Sequence, residues 1–176
     1  MCRNCLAHEI DRFFFAFKLF PHLFDVSNSY HTNDLLLDSE VNHFVTVFLM
    51  RLHPTNRSFL YAAAGHRGYL IRKDGTVETL NSTGPVLGLL QNETIAASQE
   101  FALELGDCIF IPTDGIEETQ DTEGELFGTE RMLDVFRRHK DESASDIIEA
   151  VFHASREFCS HSEQKDDITA IAIKVA

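Results

Sequence analysis

Two stretches of the sequence place carboxylates where apolar runs begin or end. In Ile109-Phe110-Ile111-Pro112-Thr113-Asp114-Gly115 a β-branched run stops at Asp114, beside a glycine. In Lys165-Asp166-Asp167-Ile168-Thr169 acidic residues lead straight into Ala170-Ile171-Ala172-Ile173. A carboxylate at a strand end stands at a sheet rim, and the glycine lets the backbone turn sharply and approach a neighbour closely. Brought to one rim, Asp114 and Asp166 would make an oxygen-rich, anionic corner of the kind taken by hard divalent cations such as Mg²⁺ and Mn²⁺. A pair of such ions can activate a water and hold a phosphate for in-line attack. Neither stretch carries an evident catalytic side chain, so the nucleophile would have to be metal-activated water. Asp-Gly, and Asp before a strand, are also common turn chemistry, and spacing alone leaves both readings open.

Other candidates carry less. His66, after Ala64-Gly65, has the chemistry of a general acid, but a turn histidine is usually just solvated. Ser82-Thr83-Gly84 with Gly88 could cradle a phosphate, yet the segment lacks the strand, glycine loop and helix order of such sites and reads as a loop. Glu117-Glu118 and the pair Glu123 and Glu125 read as a solvated acidic face. Cys2 and Cys5 form a C-x-x-C with His8 nearby; a structural zinc site needs a second ligand pair, and free thiols are the simpler reading. Cys108 falls in an apolar strand and reads as core.

The elements that must position these residues follow from periodicity. Leu6, Ile10, Phe13 or Phe14, Phe17, Phe20 and Phe24 have helical spacing, ended or kinked by Pro21. Ser29–Leu37 reads as a short helical piece. Strands are expected at Phe44–Leu52, Phe59–Ala64, Tyr69–Arg72, Val77–Leu80, Ile95–Leu103, Cys108–Pro112 and Ile168–Val175. Lys73-Asp74-Gly75-Thr76 is a hairpin turn. Glu130–His139 and Ser145–Phe158 read as helices, the second with Ser143 or Ser145 as its N-cap. Strands are gathered first and helices come late, with no βαβ alternation. The expected fold class is therefore α+β, an antiparallel β-sandwich flanked by helices.

The chain has 176 residues, 44% of them hydrophobic and 24% charged, and carries 15 phenylalanines and no tryptophan. That suits one soluble domain. Its 28 acidic against 15 basic residues give a net charge of −13, which argues against nucleic acid and anionic membrane as partners and suits cations or a basic patch on another protein. The apolar run at Phe13–Phe20 is too short and too charged to span a bilayer; Glu9 and Asp11 precede it and no small-residue cleavage site is evident, which argues against a signal peptide. A cytoplasmic protein is expected.

These motifs, in this order, resemble the bacterial PPM-type (type-2C-like) metal-dependent protein serine/threonine phosphatases of the SpoIIE and RsbU branch. FVTVFLMRLHPTNRSFLYAAAGHRGYLI resembles that family's central strands; GPVLGLL, LELGDCIFIPTDGIEETQDTEGELFGTERM and QKDDITAIAIKV continue the match to Val175. The resemblance implies a single domain over 1–176, with a helical part at 1–40 and the sandwich core with its two late helices at 44–175. It implies paired Mn²⁺ or Mg²⁺ ions at one rim, delivering water to phosphoserine or phosphothreonine. By motif, Asp114 and Asp166 match metal ligands; Asp167 and the Gly115 backbone are weaker matches. The family's remaining ligands lie in a G-D strand end and a D-x-S-G-x-G turn, which have no counterpart here; Asp25-Val26-Ser27 only echoes the second. AHEIDRFFFAF is similar to the helix that follows them, so the chain is expected to begin just after the missing ligands. That leaves an enzyme with half its metal site, or an inactive phosphatase-like module that binds a signalling partner. The implied partner is a phosphorylated regulator such as an anti-sigma-factor antagonist. Self-association would cover the phenylalanine-rich helix.

Overall fold

A computed structural model describes residues 44–91, 93–159 and 167–176, together with Asn33, Asp34 and Leu37. The chain divides into two compact units, Met1–Arg67 with Asn81–Ala102, and Gly68–Leu80 with Leu103–Ala176. The helix expected over 6–24, the Cys2 and Cys5 pair and the echo at Asp25 lie outside the described residues. Of the piece expected at Ser29–Leu37, the described Asn33, Asp34 and Leu37 are helical.

In the first unit, β1 (Val47–His53) and β2 (Ser58–Ala64) form a hairpin paired from Val47 opposite Ala64 to His53 opposite Ser58. Phe48 stacks on Tyr61 with ring centroids 5.0 Å apart. After β2 the chain turns at Gly65, whose φ is +64°. A Cβ there would lie 2.3 Å from Val86 Cγ2, so both backbone and packing demand glycine. The loop from Ser82 is clasped to the end of β2: the Thr83 hydroxyl accepts the Ala63 N–H at 2.9 Å, and the Ser82 hydroxyl accepts the Gly65 N–H at 2.7 Å. Buried Asn33 holds the next part of the loop, accepting the Gly88 N–H at 2.9 Å and donating to the Leu90 carbonyl at 3.0 Å.

The strand expected at Ile95–Leu103 is much shorter. Within this unit's sheet it is reduced to β5 (Phe101–Ala102), in the order β1-β2-β5. The reason is a side chain that replaces part of the ladder. Tyr61 donates its N–H to the Ser98 hydroxyl at 3.0 Å, and Ser98 returns its own N–H to the Tyr61 carbonyl at 2.7 Å. Ile95 is still buried, packed with Ala62, Ala64 and Leu87.

The second unit is built on β3 (Gly68–Ile71), β4 (Val77–Leu80), β6 (Cys108–Pro112) and β7 (Ala170–Lys174), ordered β4-β3-β6-β7 and antiparallel throughout. The Asp74-Gly75 turn forms as expected, with Gly75 at φ +92° and the Asp74 carboxylate accepting the Thr76 N–H at 2.8 Å. Among the described residues three helices follow β6: α1 (Asp114–Glu117), α2 (Gly128–His139) and α3 (Ala144–Cys159). Ser143 is the N-cap of α3, its hydroxyl accepting the Asp146 N–H at 3.2 Å and donating to the Asp146 carboxylate at 2.7 Å, a variant of the capping box. Tyr69, Ile71, Cys108 and Phe110 share a face of the sheet and form one core with Met132, Phe136, Ile147 and Val151. Leu70, Ile109 and Ile111, alternating with them, are buried too. Burial on both faces is why β6 reads as an unbroken apolar run.

The turn into β6 is held by a buried charge. Asp107, 1% exposed, accepts Arg72 Nη1 at 2.9 Å and the backbone N–H groups of Lys73 at 3.0 Å and Glu104 at 2.9 Å. Desolvation pulls the Arg72 guanidinium pKa down, but its hydrogen bonds to Glu78 and Asp107 outweigh this and hold it above its ordinary value. Among the described residues no helix is long and apolar enough to cross a membrane.

Two outcomes follow from this core. Replacing Asp107 by alanine strands donors that it now satisfies, so urea unfolding should show a loss of roughly 2–4 kcal/mol; a change under about 0.5 kcal/mol would mean water takes over its role. Burial pushes the Cys108 thiol up to about 12. The native state therefore favours the protonated thiol, and this contribution to stability falls as pH climbs from about 8.5, the ordinary thiol value, towards that figure. Iodoacetamide should leave Cys108 unmodified in the native protein at pH 9 while labelling the half-buried Cys159. Equal labelling of the two peptides by mass spectrometry would contradict this.

Candidate functional site

The register of β6 and β7 sets Pro112 opposite Ala170, so the end of one strand and the start of the other lie at the same sheet rim. One residue further out, Thr113 donates its N–H to the Thr169 carbonyl at 2.8 Å. Its hydroxyl accepts the Thr169 N–H at 2.9 Å and lies 3.2 Å from the carbonyl oxygens of both Asp167 and Thr169. The T-D-G and D-D-I-T segments therefore meet at one corner.

Asp114 and Asp167 are both exposed there. Asp166 lies outside the described residues. Gly115 is buried, and a Cβ at this position would lie 2.5 Å from the Asp167 carbonyl oxygen. Its glycine identity comes from that close approach to the other acidic segment. The Gly115 carbonyl accepts the Thr119 hydroxyl at 2.8 Å.

Asp114 does not simply end a strand. It opens α1, where the Asp114 carbonyl accepts the Glu118 N–H at 2.8 Å. That turn of helix corrects the reading of Glu117 as part of a solvated acidic face. Gly115, Ile116 and Glu117 turn inward, and Glu117, 7% exposed, accepts the Tyr69 hydroxyl at 2.7 Å. The bond ties α1 to β3, and sequence reasoning missed it. No local pattern links residue 69 to residue 117; the β3–β6 pairing brings them together. Glu118, Glu123 and Glu125 are exposed as expected, and Glu125 pairs with Arg131. His66 is half-buried and edge-on to Phe48, 6.1 Å between ring centroids, so it is not the fully solvated turn residue expected.

The donors at the corner are carboxylate and carbonyl oxygens, the type that hard divalent cations take. Among the described residues no three His, Cys, Asp or Glu side chains converge to hold a metal ion. In kind the corner fits such a cation; in number its described ligands are few. Replacing Gly115 by alanine should push the Asp167 backbone away and cost roughly 1–3 kcal/mol. Urea denaturation measures it, and a loss below about 0.5 kcal/mol would show that the neighbouring segment gives way freely.

The family model described as Stage II sporulation protein E (SpoIIE) matches residues 26–176. Protein IcfG of Synechocystis sp. is 26% identical in an alignment of 148 residues that covers 81% of this chain and 23% of IcfG. The SiaA-PP2C domain of Pseudomonas aeruginosa superposes with a TM-score of 0.74 at 20% identity, over 86% of this chain and 61% of that one. The PP2C phosphatase domain, with a fragment of the regulatory domain, of SpoIIE from Bacillus subtilis gives 0.67 at 16% identity, over 81% of this chain and 42% of that one. The RsbU and RsbW domains of Rv1364c from Mycobacterium tuberculosis give 0.53 at 23% identity, over 72% and 35%. The chain thus spans only part of each of these relatives. The likenesses establish its fold, an α+β arrangement of antiparallel sheets and helices shared with PP2C phosphatase domains.

Proposed function

The chain belongs to the SpoIIE family of PP2C-type phosphatase domains, and on that premise we propose that it acts as a metal-dependent protein serine/threonine phosphatase on a phosphorylated regulatory protein. The observation that carries this reading is the meeting of T-D-G and D-D-I-T at one rim through Thr113 and Thr169. Asp114 and Asp166, with Asp167 and the Gly115 backbone as weaker candidates, would hold Mn²⁺ or Mg²⁺. When bound, such ions supply activated water and positive charge for a phosphoryl group. The chain's own part is to present Asp114 at the exposed start of α1 and to keep the Asp167 backbone close against Gly115. Residues 1–176 are taken as one phosphatase-type domain in the cytoplasm.

The partner class is a signalling phosphoprotein, such as an anti-sigma-factor antagonist. A net charge of −13 favours a partner that docks through a basic patch and disfavours nucleic acid and anionic membrane. A second reading has its own support. Among the described residues no three His, Cys, Asp or Glu side chains converge at the corner, and a pair of carboxylates alone binds a divalent cation weakly. This favours a catalytically inactive module that recognises the same kind of partner.

Mn²⁺-dependent hydrolysis of a phosphoserine peptide, by wild type and Asp114→Asn, separates the two. Phosphate release that falls at least about 100-fold in the variant is the result expected of the enzyme. A folded wild-type chain that releases none with Mn²⁺ or Mg²⁺ would leave the binding module.

A further inference from the structure

Thr113 occupies the N-cap position of α1 with the extended backbone of such a residue, φ −78° and ψ 158°, yet its side chain makes no capping hydrogen bond. An N-cap threonine ordinarily turns its hydroxyl onto an N–H of its own helix. Here the hydroxyl points the other way, across the rim. It accepts the Thr169 N–H at 2.9 Å, and its single hydrogen is shared between the Asp167 and Thr169 carbonyls, each at 3.2 Å. The side chain is buried, with Thr113 2% exposed, so water competes little for these bonds. The same Asp167 carbonyl oxygen also lies against Gly115, leaving no room there for a Cβ. The Asp167 carbonyl is thus contacted by a hydroxyl and a glycine that both belong to T-D-G.

We infer that Thr113 is a positioning residue whose hydroxyl fixes the backbone of residues 167–169 against α1 and so sets where the Asp167 carboxylate stands relative to Asp114. The consequence for metal binding rests on the corner being a divalent-cation site; the latch itself does not. A hydroxyl at this position is the requirement. Serine keeps it, whereas valine has the shape of threonine without the donor and acceptor, and retains only the backbone bond from residue 113 to Thr169.

The test uses the full chain as wild type, Thr113→Ser and Thr113→Val, with Thr113→Ala replacing the valine variant if that does not fold. Amide hydrogen exchange is measured first without metal. Loss of the hydroxyl should speed exchange at Thr169 by about tenfold or more, and serine should stay within about threefold of wild type. Unchanged protection at Thr169 without the hydroxyl would overturn the latch. Mn²⁺ titration by calorimetry follows. If wild type binds Mn²⁺, the hydroxyl-free variant should bind about tenfold more weakly and the serine variant as wild type; equal binding by all three would overturn the positioning role. If wild type binds no Mn²⁺, the metal-site reading fails instead, and the exchange result alone decides whether Thr113 holds the segment.

Discussion

Antiparallel pairing of β6 with β7 is the constraint on which the candidate site depends. It joins residues more than fifty positions apart in the chain, and its register runs from Cys108 opposite Lys174 to Pro112 opposite Ala170. A slip of one residue would turn Phe110 and Cys108 away from the helical core and exchange them with Ile109 and Ile111. Because both faces of β6 are buried, such a slip would mismatch packing on each side. Hydrophobic packing along the strands therefore fixes what happens at their ends, where the polar chemistry lies.

The pair is closed at both ends by hydrogen bonds beyond the regular ladder. At the far end the Gly106 N–H donates to the Val175 carbonyl at 2.8 Å, and the Val175 N–H donates to the Asp107 carbonyl at 2.9 Å. The Asp107 carboxylate meanwhile gathers the Arg72, Lys73 and Glu104 donors of the neighbouring turns. At the site end Thr113 does the equivalent work with both its backbone and its side chain. Each end thus uses a side chain to satisfy backbone groups that the ladder leaves over, which a buried segment must do to avoid losing more than it gains.

Buried polar pairs give the second unit its specific joints. Apolar packing between the sheet and α2 and α3 supplies most of the driving force, but it is tolerant of small shifts. The Tyr69–Glu117 and Arg72–Asp107 contacts are directional, so they penalise shifts that packing would accept. Tyr69–Glu117 ties α1, the helix that the exposed Asp114 opens, to β3, and Arg131 holds the loop before α2 by donating to the Leu126 carbonyl at 2.8 Å while lying over the Phe158 ring. The candidate site is thereby carried on a braced turn.

Much of this was legible in the chain itself. Alternation and turn chemistry located β1 to β4, β6 and β7; helical spacing located α2 and α3; and of the two N-cap candidates, Ser143 and Ser145, the structure uses Ser143. These signals are local, each set by φ/ψ preference and by which side chains recur on one face within a few residues. The motifs at Asp114 and Asp166 also named the chemistry to look for. What the sequence alone could not decide was set by contacts between distant segments. Ser98 takes over the Tyr61 N–H and cuts a long expected strand down to Phe101–Ala102. Glu117 turns inward because β3 brings a tyrosine hydroxyl to it. Gly115 must be glycine because the Asp167 carbonyl lies against it. Such outcomes depend on which surfaces meet when the sheet closes, and that is a property of register and packing, which no window of neighbouring residues contains.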